Sequence, residues 1–405
     1  MNKSLKYALA AVVAVGTAFG TASAAEFDGE LVIGDFQPLS GSAAAGGINN
    51  HNALKLAVKQ YNEGSHPLNP TPGLKVGDKT YKLTTAVYDH KYTAEGGVTS
   101  ANKLVFDDGA KFVTGTWGST PSISAAETVF EPNKILFAST GWSNKVIGPD
   151  KPFTFRLHMT GREYNGAVYA YLKEARPELK KAATLCASDD AGHSAGKAIR
   201  EQAESHGFEI VAEEFQERGT TDFYSFLTRI MAKDPDILDV CGAVPGDESL
   251  MIKQFRELGG DALISAAGSV PSVLFDVAGK EAVEGVLITQ GVNYYTPGNV
   301  ISDAQRKYAA DFKAEFNEEA PYSSEKAYDM AIGIFEAIKK AGTLDTTKVR
   351  DTLRELSWQL TTGDMSSWGG EELYGIKHQI ITPTFISEIR NGEVVTVAKV
   401  ITPVP

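Results

Sequence analysis

Several predicted loops combine hydroxyl, glycine and tryptophan residues that could bind a small polar molecule. Residues 40–47, 116–120, 140–143 and 188–191 each follow a predicted strand, as do the residues after Cys241. Hydroxyls and backbone amides can donate hydrogen bonds to a carboxylate. Trp117 and Trp142 would add flat apolar walls. The same residue types are also typical of ordinary turns, helix caps and loop packing.

The sequence shows no clear set of catalytic residues. Asp189, Asp190, His193 and Ser194 crowd one predicted turn, but neighbours on a turn rarely point at one another. The chain has no HExxH or phosphate-loop lysine motif, and no GxGxxG after its first strand. Its seven histidines are scattered, and two cysteines cannot form a cysteine-rich zinc site. We therefore expect a protein that is not an enzyme and that holds no metal and no cofactor.

The elements that would position these loops alternate between strands and helices. An apolar strand-like run at 31–36 is followed by a helical stretch with Leu54, Ala57, Val58 and Tyr61 on one face. This first strand–helix set extends to about residue 157, and a second set follows from 162 to 290. Repeated strand–helix units predict parallel sheets covered on both faces. The sequence therefore predicts an α/β fold of two doubly wound lobes.

The C-terminal part departs from this alternation. Three successive helices are predicted at 303–317, 323–341 and 347–356. Strands are then predicted at 379–390 and 394–400, separated by Asn391-Gly392, which is a strong hairpin signal. We expect the chain to end in this hairpin.

The first 24 residues are typical of a secretory signal peptide. Lys3 and Lys6 precede an apolar run that ends near Phe19, and Ala22-Ser23-Ala24 is a small-residue cleavage site. The apolar run is shorter than the ~20 residues that span a bilayer. We expect cleavage after Ala24 and an exported, freely soluble mature chain. The net charge of −12 argues against nucleic acid and anionic lipid as partners.

Cys186 and Cys241 fall late in the first and third strands of the second set. A doubly wound lobe with strand order 2-1-3-4-5 makes those strands neighbours, so we expect the two cysteines to be close in space. Export makes a disulfide possible, but a bridge between adjacent strands is geometrically awkward. We therefore predict two free thiols near the cleft between the two lobes.

The order of these elements resembles the branched-chain amino-acid type of periplasmic solute-binding protein, which serves ABC transporters. The resemblance runs from about Leu31 to Val400. It is carried by the segments LVIGDFQPLSGS, KFVTGTWGST, NKILFASTGWS, FTFRLHM and SDDAGHSAGKAIREQAESHG. The resemblance implies a type I periplasmic binding protein fold, a monomer that delivers its ligand to an inner-membrane ABC permease, and three crossovers that form a hinge.

We place the crossovers near Met159, Val292 and Gly363. The first lobe would then hold residues 27–158 and 293–362, and the second lobe 159–292 and 363–405. A cleft between the lobes would close on the ligand by a hinge motion.

The resemblance also selects residues within the loops. Ser119 and Ser143 fall where the family holds the ligand carboxylate with hydroxyls, and Gly118 and Thr120 would add an amide and a hydroxyl. Trp117 and Trp142 flank these residues and suit an apolar or aromatic ligand body. His158 could reach an anionic ligand, whereas Arg156 is expected to tie the hinge.

The second lobe departs from the amino-acid pattern of the family. Ala191 and Cys241 replace two aromatic residues, and no acid stands near Gly268, where the family pairs one with the ligand's ammonium group. Asp190 or Asp247 could substitute for that acid. An ammonium group buried without a carboxylate is costly. We therefore expect a small carboxylate with an aromatic or apolar body, with a branched-chain amino acid or amide, or a soluble sensor role, as alternatives.

Overall fold

The computed structural model describes residues 26–115, 117–290, 301–320, 324–402 and 404. In chain order its strands are β1 (Gly29–Gln37), β2 (Leu74–Val76), β3 (Lys79–Asp89), β4 (Phe112–Thr114), β5 (Leu136–Ser139), β6 (Thr154–Arg156), β7 (Lys181–Ala187), β8 (Glu209–Gln216), β9 (Ile237–Cys241), β10 (Leu263–Ala267), β11 (Leu287–Gln290), β12 (Ser367–Gly369), β13 (Gln379–Ile381), β14 (Thr384–Arg390) and β15 (Glu393–Val400).

The helices lie between these strands, and three of them are consecutive near the C-terminal end. They are α1 (Ala44–Glu63), α2 (Ala94–Asn102), α3 (Ser119–Ala125), α4 (Gly161–Ala175), α5 (Asp190–His206), α6 (Tyr224–Met231), α7 (Pro245–Glu257), α8 (Pro271–Val277), α9 (Asp303–Phe316), α10 (Ser324–Ala341), α11 (Thr346–Arg354) and α12 (Glu371–Tyr374).

The strands form two separate sheets, one for each lobe. The first has the order β12-β13-β6-β5-β4-β1-β3-β2, and the second has the order β15-β14-β11-β10-β9-β7-β8. Within each sheet the first five parallel strands follow the 2-1-3-4-5 order of a doubly wound fold. Two doubly wound α/β lobes are thus confirmed.

Both faces of each sheet are buried under helices. In the first lobe, α1 and α10 cover one face, where Leu54 and Phe335 are buried, and Phe36 and Phe130 are buried on the other. In the second lobe Phe255 lies in one core cluster and Tyr169 in another. Burial of both faces explains why these strands are near-continuous apolar runs rather than alternating ones.

Local sequence signals fix the ends of the elements that matter for the cleft. Thr160 and Glu163 form a reciprocal capping box at the start of α4, directly after the first crossover. The Asp189 carboxylate caps α5 by accepting a hydrogen bond of 3.0 Å from the Gly192 amide. The predicted hairpin is confirmed: β14 and β15 pair around Asn391-Gly392, with φ values of 54° and 73°.

The first crossover between the lobes lies near its predicted position, whereas the third does not. The first passage lies between β6 and α4. The second, predicted near Val292, lies outside the described residues. The third boundary, placed at Gly363, is wrong because β12 and β13 still belong to the first sheet.

The third crossover occurs at Thr382-Pro383, which also divides the single strand predicted at 379–390. β13 pairs with β6 in the first lobe, whereas β14 pairs with β11 in the second. Proline lacks an amide hydrogen for a strand ladder. A break at Pro383 therefore lets the chain change sheets while both flanking segments stay extended.

Candidate functional site

The carboxyl ends of both sheets meet at a small cavity between the lobes. We call it the aromatic cavity because Trp117 and Trp142 form part of its wall. Its lining residues are Tyr92, Trp117, Gly118, Ser119, Thr140, Gly141, Trp142, Ala191, Gly242, Ala243, Glu248, Ala267 and Gly268. The structure thus brings together the predicted residues Trp117, Gly118, Ser119, Trp142 and Ala191.

Trp117 rests on helix α1 of its own lobe. A Cβ atom added at Gly46 would lie 1.5 Å from the Trp117 ring, so the glycine makes room for the indole. The Trp117 amide donates a 3.2 Å hydrogen bond to Gln37 Oε1. Gln37 in turn donates to Asp35, whose other carboxylate oxygen is 3.0 Å from His51 Nδ1. This buried chain holds the tryptophan loop in place.

Trp142 rests on the opposite lobe. A Cβ atom added at Gly268 would lie 2.7 Å from the Trp142 ring, and Gly268 has a φ of +86°, which favours glycine. The Trp142 ring is also 5.6 Å from the Tyr164 ring of α4. An aromatic side chain from the first lobe therefore packs directly on the backbone of the second.

The two predicted serines occupy different positions. Ser119 lies at the start of α3 and lines the cavity, and its Oγ accepts a 2.9 Å hydrogen bond from the Ser143 amide. Ser143 is buried behind the cavity wall, where its Oγ accepts a bond from the Lys145 amide and lies 3.4 Å from Ser194 Oγ of the second lobe. This geometry therefore does not favour direct contact between the Ser143 hydroxyl and a ligand.

Thr120 and Cys241 also lie outside the cavity wall. Thr120 follows Ser119 in the first turn of α3, and its carbonyl accepts a 3.0 Å bond from Ser124 Oγ. Cys241 ends β9, one residue before the cavity-lining Gly242.

The prediction of two free thiols is wrong, because Cys186 and Cys241 form a disulfide. The two residues are direct partners in the register of β7 and β9, and their Cα atoms are 4.6 Å apart. That separation lies within the range that a disulfide spans. The expected proximity is confirmed, and the bond ties the strand ends that carry Ala191 and Gly242.

A buried acid stands beside Gly268, contrary to expectation. Glu248 on α7 is 2% exposed, lines the cavity and accepts a hydrogen bond from Ser269 Oγ. Burial raises the pKa of Glu248 to about 8, so the carboxyl group is largely protonated at neutral pH. The two acids suggested by the sequence face elsewhere: Asp190 pairs with Lys145 at 2.5 Å, and Asp247 approaches the Gly219 amide.

A second small space adjoins the aromatic cavity. We call it the lysine compartment. Its lining residues are Asn50, Trp117, Thr140, Trp142, His158, Gly268, Gln290 and Lys326. Four of these also line the aromatic cavity, so the two spaces meet at the tryptophans and Gly268. The predicted residue His158 is placed here, together with Lys326, which the sequence did not single out.

Polar contacts hold the lobes together around the cavity mouth. The Arg218 guanidinium of the second lobe lies 4.2 Å from the centre of the Tyr92 ring of the first lobe. Arg218 also pairs with Asp189 at 2.6 Å and donates to the Gly242 carbonyl. Lys145 and Asp190 form an ion pair between the lobes. The cleft of this structure is therefore closed.

Arg156 ties the hinge, as expected. It is fully buried in β6, and its Nη1 donates a 2.8 Å hydrogen bond to the Ser143 carbonyl while Nε donates to Gln379 of β13. Within the described residues no cluster of three or more histidine, cysteine, aspartate or glutamate side chains could hold a metal ion. In the same part of the chain, no helix is both long enough and apolar enough to cross a membrane.

Residues 30–393 match the sequence profile of the family described as periplasmic binding protein. The chain belongs to that family. A relative in Pseudomonas aeruginosa, the leucine-, isoleucine-, valine-, threonine- and alanine-binding protein, is 22% identical over 81% of this chain and 83% of its own. The named relatives of this periplasmic binding protein are binding proteins and not enzymes.

Solved structures show the same fold. The branched-chain amino-acid substrate-binding protein of Streptococcus pneumoniae, solved with isoleucine, has a TM-score of 0.77 at 21% identity and covers 92% of this chain and 99% of its own. An ABC-transporter solute-binding protein of Rhodopseudomonas palustris, solved with 3,4-dihydroxybenzoic acid, has a TM-score of 0.77 at 22% identity. It covers 93% of this periplasmic binding protein and 99% of its own chain. These likenesses establish the type I periplasmic binding protein fold.

Proposed function

We propose that this protein is the substrate-binding component of an ABC importer and that its ligand is a small carboxylate with an aromatic or apolar body. The observation that carries this proposal is the pair of indoles, Trp117 and Trp142, on the wall of a closed interlobe cavity. Flat, rigid aromatic walls bury a planar ligand at little conformational cost. The fold neighbour that binds 3,4-dihydroxybenzoic acid supports this ligand class.

The charges around the cleft also favour an acid. Glu248 is mostly uncharged at neutral pH because burial raises its pKa to about 8. Lys326 lines the adjoining compartment, and it is cationic below its pKa, which burial lowers to about 7. A cleft that holds a cation and a protonated acid attracts a monoanion more strongly than a zwitterion.

A branched-chain amino acid is the second candidate, and Glu248 is the observation that favours it. Its carboxyl group lies at the cavity wall beside Gly268, and it could ionise opposite a ligand's ammonium group. The relatives named for leucine, isoleucine and valine support this candidate.

Isothermal titration of the purified protein separates the two candidates. Benzoate and 3,4-dihydroxybenzoate should bind, whereas leucine and isoleucine should bind at least about a hundredfold more weakly. Such a difference corresponds to about 2.8 kcal/mol, which is within the cost of leaving an ammonium group unpaired. Tight binding of leucine or isoleucine with no response to the two acids would overturn the proposal.

We also propose that the chain is exported, cleaved after Ala24 and active as a soluble monomer that docks on an inner-membrane permease. The composition of the first 24 residues supports export. N-terminal sequencing of protein from the periplasmic fraction should begin at Ala25. A retained leader or a membrane-bound product would contradict this part of the proposal.

A further inference from the structure

Lys326 is a buried lysine with only neutral partners. It is the third residue of α10 and is 9% exposed. Its Nζ lies 3.0 Å from His158 Nε2, 2.6 Å from the Tyr164 hydroxyl and 3.1 Å from Gln290 Oε1. Among the described residues no carboxylate lies within ion-pairing distance of Nζ, although Glu325 acts on it electrostatically. The lysine compartment thus holds a cation without a bonded counter-ion.

His158 is fixed as a hydrogen-bond acceptor toward this lysine. Its Nδ1 faces the Met159 carbonyl, which can only accept, so Nδ1 carries the proton and Nε2 receives the bond from Lys326. Burial, together with the nearby charge of Lys326, lowers the pKa of His158. His158 is therefore a neutral partner and not a second cation.

A buried ammonium group without an anion is costly, and proteins retain such groups mainly where they serve binding or catalysis. Burial lowers the pKa of Lys326 to about 7. An anion that enters the compartment would restore the charged state of the lysine. The unpaired cation, its position on the cleft wall and its neutral surroundings all point to an external counter-ion.

The position of the compartment suits the acidic end of a ligand that lies on the tryptophans. Trp142 lines both spaces, and its ring centre is 6.2 Å from that of His158. Lys326 belongs to the first lobe, whereas Tyr164 and Gln290 belong to α4 and β11 of the second. A group bound at Nζ would therefore contact both lobes.

We propose that Lys326 is the anion-recognition residue of this protein and that the ligand's carboxylate binds its Nζ in the lysine compartment, replacing one of the neutral acceptors. This inference rests on the proposed function and deepens it. It moves the acidic end of the ligand away from Ser143 and toward the hinge. The opposite end of the ligand then faces Glu248, which is linked to the compartment through Ser269 and the 2.8 Å bond from Gln290 Nε2 to the Ser269 carbonyl.

The test compares each acid with its uncharged amide in the wild-type protein and in Lys326→Met. Benzoate and 3,4-dihydroxybenzoate should bind the variant about tenfold to a hundredfold more weakly than the wild type, the range for a hydrogen bond to a charged group. Benzamide and 3,4-dihydroxybenzamide should bind both proteins alike within about threefold. Lys173→Met, on the exposed surface of α4, removes the same charge and should leave all four affinities unchanged.

A second variant adds an internal counter-ion without removing the lysine. Gln290→Glu places a carboxylate beside Nζ, so it should weaken the binding of both acids and leave the binding of both amides unchanged. If Lys326→Met and Gln290→Glu lower the affinities for acids and amides equally, Lys326 only closes the lobes. If the affinity for the acids is unchanged, the carboxylate binds elsewhere. Either result overturns the inference while the proposed function stands. A wild-type protein that binds neither acid overturns the proposed function, and the subsite falls with it.

Discussion

Replacing Gly268 by alanine should weaken ligand binding in addition to destabilising the fold. A Cβ atom at this position would lie 2.7 Å and 2.8 Å from two atoms of the Trp142 ring. Trp142 comes from the opposite lobe, so this clash exists only when the cleft is closed. The φ of +86° adds a strain that is present whether the cleft is open or closed.

The two costs affect different measured properties. A non-glycine residue in the left-handed region costs about 1–2 kcal/mol of folding stability. Overpacking against a fixed ring costs about 1–3 kcal/mol, and it should appear as a loss of benzoate affinity of about fivefold to 150-fold. X-ray scattering should show a smaller shift toward the compact state at a given benzoate concentration in Gly268→Ala than in the wild type.

Gly279→Ala is a matched control because Gly279 has nearly the same φ, +85°, and an added Cβ there meets nothing within 4 Å. Both variants should lose similar free energy of unfolding in denaturant titrations, but only Gly268→Ala should lose affinity in calorimetry. Equal affinities in the two variants would refute the packing of Trp142 on Gly268 in the liganded protein.

Two further predictions concern the disulfide and the pH dependence of binding. Denatured, unreduced protein should show no free thiol, and reduction of Cys186–Cys241, which are 55 residues apart, should cost about 4 kcal/mol of unfolding free energy; two reactive thiols would contradict the bond. The benzoate Kd should rise by up to about tenfold per pH unit above about pH 7, because the free protein must then protonate Lys326 to bind an anion. Ionisation of Glu248 above about pH 8 also raises the benzoate Kd, and Glu248→Gln should remove this contribution to the pH dependence. A Kd that stays constant between about pH 6 and pH 9 would exclude Lys326 as the anion receptor.

The order of strands and helices could be predicted because each element carries its own local pattern. The apolar runs of β1 and β7 and the helical spacing in α1 are visible without any tertiary information. The third crossover could not be placed in this way. β13 and β14 are both short apolar segments, and nothing in their pattern shows that they pair in different sheets.

Only the site residues in loops that directly follow strands could be predicted from the sequence. Trp117, Ser119 and Trp142 lie in loops that the strand-end rule selects, and all three line the cavity. Glu248 and Lys326 lie on helices, where a charged residue is usually a solvated surface group, so the sequence gives no local reason to single them out. Their burial depends on the packing of one lobe against the other.

The identity of the molecule that co-purifies with the protein is the most direct test of the proposed ligand class. Protein isolated from its native periplasm should be examined by native mass spectrometry, and the small molecule released on denaturation should be identified by accurate mass and fragmentation. We predict a monocarboxylate with an aromatic or apolar body and no amino group. Recovery of leucine, isoleucine or valine would contradict it.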